Sequence, residues 1–303
     1  MFKSIVFFSW LLVLISFIFP YDSIAKDTVL LMNRHGYLDS RHTYENEVLI
    51  TALEKTRENY GDFEIVTTIS NAQRERLFLE LLKGENLNIY VAPTQKKWEE
   101  KSIPIRIPVL KGILGYRLFL IRKQNEKEFS TISTVEELKK LKAGLNRHWS
   151  TTKAMEALGF NVVRGGEYKG LFKMLMYDRF DYFPRGVSEI FAEYDSRKDL
   201  LPDLAIEPHL ALYLPQPTYF FVSPKFPKLA ERIKDGLERM IKDGSFDKLF
   251  WEYNASNLNR ADLKNRLVLF ADNPFLSPET PFKEKQLWFN PLEQHRSEIR
   301  KED

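Results

Sequence analysis

Arg185 and Gly186 fall just past the segment Phe180-Asp181-Tyr182-Phe183, and a cation at that spot has a definite chemistry. The four residues read as a short strand, which Pro184 ends because proline cannot donate to a ladder. The carboxyl ends of strands are where open α/β sheets bind ligands. The planar fork of an arginine placed there suits a carboxylate or a phosphate. The alternative is an arginine on a solvated loop. A second device of the same kind is Ser150-Thr151-Thr152, which opens a helix. The free backbone N–H groups and the dipole of a helix N-terminus favour an anion, although an ordinary serine cap accounts for Ser150 equally well.

Patterns that would carry covalent or metal chemistry are missing. The five histidines (His35, His42, His148, His209 and His295) show no His-Glu-x-x-His spacing. There is no Gly-x-Ser-x-Gly elbow, and Gly165-Gly166 reads as a turn before Glu167. With no cysteine, neither disulfides nor thiolate chemistry is available. Nothing marks Glu45 or another acid as a catalyst. The expectation is no enzyme, no cofactor and no metal, with a cleft enzyme as an alternative.

The elements that position these groups alternate between strand and helix, the pattern of an α/β fold with parallel strands. Asp27 to Met32 reads as a strand, followed by an amphipathic helix over 45–60 with Leu49, Ala52 and Leu53 inward and Gly61 as its stop. Phe63 to Ile69 is a strand. Asn71 caps the next helix, with Leu77, Leu81 and Leu82 apolar and Gly84 beyond its end. Leu87 to Val91 is a third strand, and Gly115 to Lys123 a longer one of alternating character. The βα series then starts afresh. Ser133-Thr134-Val135-Glu136 is a capping box. Gly144-Leu145 begins a strand, a helix runs from Ser150 to Gly159, and Phe160 to Val163 is again a strand. Leu171, Met174 and Leu175 mark the apolar face of a helix before Phe180. Leu204 to Leu214 and Thr218 to Val222 are strands, and Pro227 opens a helix running to Lys242. A last helix carries Phe246, Leu249, Phe250 and Tyr253, and the chain from Leu267 reads as a tail wrapped on the first lobe.

Two such series joined by a long strand, with a second strand returning, describe a two-lobed hinge protein. Lobe one would comprise residues 27–117 and 224–303, lobe two 118–218, with crossovers near Leu118 and Thr218. A ligand would bind between them.

Composition sets the surroundings. Lys3 followed by an apolar run from Ile5 to Phe19, broken only by Ser9 and Ser16, and then Ser23-Ile24-Ala25, is the pattern of a secretory leader. The mature chain would begin near Lys26 in the periplasm, the alternative being a leader retained as an anchor. The formal net charge is +3, which leaves no electrostatic footprint for nucleic acid. The aromatic share of 14% exceeds what a cleft would use, so most of it is expected in the core.

Four stretches resemble the type 2 periplasmic solute-binding proteins, in particular the amino-acid-type receptors of ABC transporters. They are Thr134-Val-Glu-Glu-Leu-Lys139, Gly144-Leu-Asn-Arg-His-Trp-Ser-Thr-Thr152, Leu171-Phe-Lys-Met-Leu175 with Arg179-Phe-Asp-Tyr-Phe183, and Ile241-Lys-Asp-Gly-Ser-Phe-Asp-Lys-Leu-Phe250. The resemblance implies a monomeric, two-lobed periplasmic binding protein-like II fold. It further implies a small-molecule ligand in the inter-lobe cleft and a membrane permease or sensor as partner. It assigns the ligand carboxylate to the turn at 144–152, where Ser150 and Thr151 fit the role. The family's Thr-x-x-Arg clamp in lobe one is here Thr94-Gln95-Lys96-Lys97, so Lys97 keeps the charge without the bidentate fork. The family's acid for a ligand amino group falls at Gly186 and is lost. In their place stand Arg106, set opposite Ile105 and Ile107, then Arg147, and Arg185, with Trp98 and Trp149 available for stacking unless they pack internally. The set points to an anionic or carboxylate-bearing solute, amino-acid-like or peptide-like. A periplasmic sensor or accessory protein that uses the fold to bind a protein partner is the alternative.

Overall fold

The computed structural model describes residues 26–33, 43–70 and 72–291. The leader sequence and the capping role of Asn71 lie outside them. Lobe one contains β1 (Asp27–Asn33), α1 (Thr43–Glu54), α2 (Arg57–Tyr60), β2 (Phe63–Ile69), α3 (Arg74–Lys83), β3 (Ile89–Pro93), α4 (Lys96–Lys101) and β4 (Ile103–Ile105). The expected single helix over 45–60 is two, because the buried Thr56 hydroxyl donates to the carbonyls of Ala52 and Leu53 (3.1 and 2.9 Å) and competes with the helical ladder. Leu49, Ala52 and Leu53 are buried as expected.

Lobe two contains β5 (Tyr116–Arg122), α5 (Glu126–Phe129), α6 (Val135–Leu138), β6 (Lys142–Asn146), α7 (Ser150–Ala157), β7 (Asn161–Gly165), α8 (Tyr168–Met176), β8 (Tyr182–Gly186), α9 (Val187–Asp195), β9 (Leu204–Ile206) and β10 (Leu210–Tyr213). The chain then returns to lobe one for β11 (Thr218–Val222), α10 (Pro227–Lys242) and α11 (Ser245–Ala261).

In lobe one β1 pairs β2 in parallel, and β11 runs antiparallel between β3 and β4. Asn88 joins the two pieces. Its side chain accepts from the Leu30 N–H (2.7 Å) and donates to the Thr28 carbonyl (2.7 Å), and its own N–H donates to Leu30 O (3.1 Å). One polar side chain, fully buried, thereby does the work of a missing ladder segment.

The lobe-two sheet has the order β12-β10-β5-β8-β6-β7, with β9 also on β5 and β12 spanning Leu267–Phe270. Only its β6, β7, β8 and β10, β12 neighbours are parallel; β5 is antiparallel to β8, β9 and β10. Strand β5 is buried at all seven positions and not alternating, because both faces are covered. Pro184 does not end its strand. It lies opposite Phe119 on the β5 side, while β6 reaches β8 only at Ala143 and Tyr182, so no ladder partner needs its missing N–H. The expected strand over 204–214 is split at Glu207, whose carboxylate accepts from the N–H groups of His209 (2.8 Å) and Leu210 (2.6 Å).

The tail departs most from expectation. Instead of wrapping lobe one throughout, it first crosses to lobe two, where β12 adds in parallel to β10. Arg266 fixes this arrival by donating to the carbonyls of Glu207 (2.5 Å) and Leu210 (3.1 Å). Residues 271–291 then return to lobe one. The lobes are therefore linked by four passages of the chain, through 106–115, 214–217, 262–266 and 271–279, and not by two. Leu118 and Thr218 belong to strands, and the connecting loops precede those strands.

Candidate functional site

The ends of β6 and β8 and the start of β5 meet at one place beside the second crossover. Asn146 shapes the turn after β6: its side chain accepts from the His148 N–H (3.0 Å) and donates to Gly166 O (3.0 Å). The N-cap of α7 is Trp149, which makes no side-chain capping bond, and Ser150 is the first helical residue. The Ser150 and Thr151 hydroxyls face Gln216 of the crossover. The Gln216 amide donates to Ser150 Oγ (2.5 Å), and its Oε1 accepts from Thr151 Oγ1 (2.8 Å).

Gln216 Oε1 also accepts from Arg117 Nη2 at 2.6 Å. Arg117 stands at the start of β5, opposite Gly186 in the antiparallel register, and is 4% exposed. Its Nη1 is 3.6 Å from Glu189, and its Nε is buried with no hydrogen-bond partner among the described residues. Burial pulls the guanidinium down to about 10, against the opposing attraction of Glu189, so it remains charged at neutral pH. A buried charge with an unfilled donor is costly unless something meets it.

Arg185 has its partners within the chain. Its Nε and Nη2 donate to the two oxygens of Glu193, each at 2.6 Å, and Nη2 is 3.1 Å from Glu189. Burial lowers its basicity, but Glu189 and Glu193 outweigh that and hold it above the usual arginine range. Its guanidinium lies over the rings of Trp149 (4.5 Å) and Phe183 (5.1 Å), and these rings are nearly parallel at 11°. Arg185 thus supports the turn carrying Trp149 from beneath. Two guanidiniums, Arg117 and Arg185, face two carboxylates, Glu189 and Glu193, and the four charges cancel.

A carboxylate from α9 stands beside Gly186. Glu189 accepts from the Gly186 N–H (3.0 Å), and its Oε2 lies 3.1 Å from where a Cβ at 186 would stand. A side chain there would also meet the end of the Leu114 side chain at 2.8 Å, so the leucine would have to shift to admit one.

The remaining candidates lie apart from this cluster. Trp98 is fully buried in the lobe-one core, stacked on Phe78 at 4.4 Å and 13°, and has no face left for a ligand. Lys97 is exposed and 3.5 Å from Glu75. Arg106 is held between Glu99 (2.9 Å) and Glu279 (2.7 Å). Arg147 is exposed, with Nη2 3.3 Å from where a Cβ on Gly166 would lie. The structure thus brings together Trp149, Ser150, Thr151 and Arg185, and leaves Lys97, Trp98, Arg106 and Arg147 elsewhere. Sequence reasoning missed Arg117, Glu189 and Gln216. The signals for two of them were an arginine inside the apolar run Tyr116 to Ile121 and a glutamine between two prolines. Among the described residues no group of three or more His, Asp or Glu gathers as a metal would need, and no helix is long and apolar enough to cross a membrane.

No protein-family profile matches the chain, and no curated protein matches it in sequence. Its fold does have solved counterparts. An ancestral arginine-binding protein bound to arginine superposes with a TM-score of 0.53 at 18% identity, covering 75% of this chain and 98% of that one. A periplasmic binding protein of Salmonella typhimurium with high arginine specificity gives 0.52 at 15%, covering 75% and 99%. A histidine kinase sensor domain with similarity to periplasmic binding proteins gives 0.51 at 14%, covering 75% and 96%. The chain has the two-lobed fold of the periplasmic binding proteins, and a quarter of it lies outside each of these matches.

Proposed function

We propose that this protein is an exported solute-binding protein that takes a zwitterionic, carboxylate-bearing solute of amino-acid type between its lobes. It would serve an ABC-type permease or a sensor in the periplasm. The observation that carries this reading is Arg117: a buried, charged guanidinium with an unfilled Nε, beside the first turn of α7 and next to Glu189. A solute carboxylate would meet the Arg117 guanidinium, whose buried Nε has no partner among the described residues, and the first-turn N–H groups of α7. Its ammonium would take Glu189. An Arg–Glu pair is the complement of a zwitterion, whereas the balance of Arg117 and Arg185 against Glu189 and Glu193 gives no surplus of positive charge for a dianion. This moves the reading from an anionic solute to a neutral one and gives Arg117 the role first expected of Arg185. No catalytic role is proposed for any of these groups.

Thermal-shift titration tests it. A matching α-amino acid raises the melting temperature by mass action, about 2.7 kcal/mol at a concentration 100-fold above Kd, while its amide and dicarboxylates of similar size do not. Arg117→Met should fold and lose the response, with affinity at least ten-fold weaker. Equal responses in parent and Arg117→Met, or a response to dicarboxylates alone, would overturn the assignment.

A further inference from the structure

The C-terminal passage holds both hinge loops at their most constrained points. In the first loop Lys111 and Gly112 are consecutive left-handed residues, with φ of 45° and 76°. A non-glycine residue in that region persists only where its surroundings enforce it. Here the enforcement comes from the chain's last described segment. Phe289 N–H donates to Lys111 O (2.8 Å), and Lys111 Nζ donates to Gln286 O (2.9 Å) and to Asp247 of α11 (2.5 Å). Trp288 lies so close over Gly112 that a Cβ there would come within 2.5 Å of its ring. Trp288 is itself fixed, stacked on Phe282 at 5.0 Å with its Nε1 donating to Pro281 O (2.9 Å).

The second loop is held by the same passage. Ala271 N–H donates to Tyr213 O (3.0 Å), and Asn273 donates from its side chain to Pro215 O (3.0 Å). Glu279 pairs with Arg106 at the entrance to the first loop (2.7 Å). Away from the hinge, α11 adds a tie across the lobes, where Arg260 meets Asp195 (2.6 Å) and lies 4.4 Å over the Phe191 ring.

Lobe opening requires a few hinge residues to change φ and ψ. In this chain those residues are bonded to a segment that is anchored in the lobe-two sheet at one end and packed on lobe one at the other. We propose that residues 267–291 are a hinge clamp, which holds the lobes at one separation whether or not the cleft is filled. Solute exchange is then governed by loosening of this segment and not by free rocking of the lobes. The clamp stands on contacts outside the proposed solute site and does not depend on it.

The absence of cysteine makes the test direct. Lys83→Cys on α3 and Lys173→Cys on α8, both exposed, place one spin label on each lobe of the full chain. Without any solute, pulsed dipolar spectroscopy should give a single narrow distance. Adding Trp288→Ala should broaden it and shift it by several ångströms. Because Trp288→Ala can compromise folding, Asn273→Ala with Glu279→Gln is measured alongside, Asn273 being only half-buried and Glu279 exposed; a broader distribution is expected there too. A broad distribution in the parent overturns the clamp, as does a distribution unchanged in the folded variants. A solute screen with no responder would leave this result untouched, so the two readings fail separately.

Discussion

Arg185→Met separates a structural arginine from a ligand-facing one. The side chain is 5% exposed and its counter-ion Glu193 is 11% exposed, so both are desolvated. Methionine preserves much of the volume but leaves Glu193 and Glu189 without its charge, Arg117 standing 3.6 Å from Glu189. Removing one partner of a buried pair costs about 3–5 kcal/mol. At roughly 2–4 °C per kcal/mol for a chain of this size, the melting temperature should fall by about 6–20 °C. Loss of the stacking on Trp149 acts in the same direction. Differential scanning calorimetry without added solute measures this directly. Arg185→Lys should recover only part, since an ammonium cannot make both 2.6 Å bonds to Glu193 in one plane. Adding Glu193→Gln to Arg185→Met removes the orphaned charge, and the cycle should show a coupling of about 1–3 kcal/mol. A melting temperature within about 2 °C of the parent, with no coupling, would refute the argument and return Arg185 to the list of groups open to a solute.

Three further substitutions test other parts of the structure. Arg117→Met should lower the melting temperature less than Arg185→Met does, because Glu189 keeps Arg185 and the longer Arg117–Glu189 contact (3.6 Å) is the weaker one; an equal or larger drop in calorimetry would make Arg117 structural. Gly236→Ala places a Cβ 2.2 Å from the Ala52 carbonyl, backbone that cannot move aside. Separating α1 from α10 there should cost about 2 kcal/mol or more in urea unfolding, and a neutral result would contradict the helix contact. Asn88→Leu leaves the Leu30 N–H and Thr28 carbonyl without their side-chain partner, so β1 amides should exchange much faster than those of β6, with an overall loss of about 2–4 kcal/mol; uniform exchange would show that the stitch is dispensable.

The sequence made local elements plain where the signals are local. The strand Phe63–Ile69 and the helix Pro227–Lys242 appear with the bounds their β-branched run and N-terminal proline predict. The start of α7 at Ser150 was equally readable, and so was the two-lobed plan, from the repeated βα series. What the sequence concealed depends on partners distant along the chain. Alternation in β5 looked half-exposed because nothing local shows that helices cover both faces. Arg185 looked available because its carboxylates, Glu189 and Glu193, belong to the following helix and reach it only when that helix folds back over β8. Trp98 and Trp149 are the same residue type near the same expected cleft. One is enclosed by Phe78, Tyr90 and Phe221, the other stands at the site, and only tertiary packing distinguishes them. Arg117 was passed over because an arginine in an apolar strand reads as an edge position, and the crossover that buries it lies about a hundred residues away.

The position of Arg232 has a bearing on the order in which the chain can assemble. This wholly buried guanidinium donates to Asp27, Leu53 O and Gly61 O, across sequence separations of 205, 179 and 171 residues. No early fragment of lobe one contains this fastening, so the carbonyls of Leu53 and Gly61 and the Asp27 carboxylate must wait for α10 before Arg232 meets them. Lobe two waits for less, since β5 to β10 are contiguous and pair among themselves, and only its edge strand β12 and Arg266 arrive later. Contacts of long separation are slow to form because loop closure precedes any reward. On a ribosome, lobe two should therefore gain protection first, while the N-terminal strands remain open until α10 has emerged. Lobe one then closes β1 and β2 against α10 in one late step, and the hinge is the last part to become ordered.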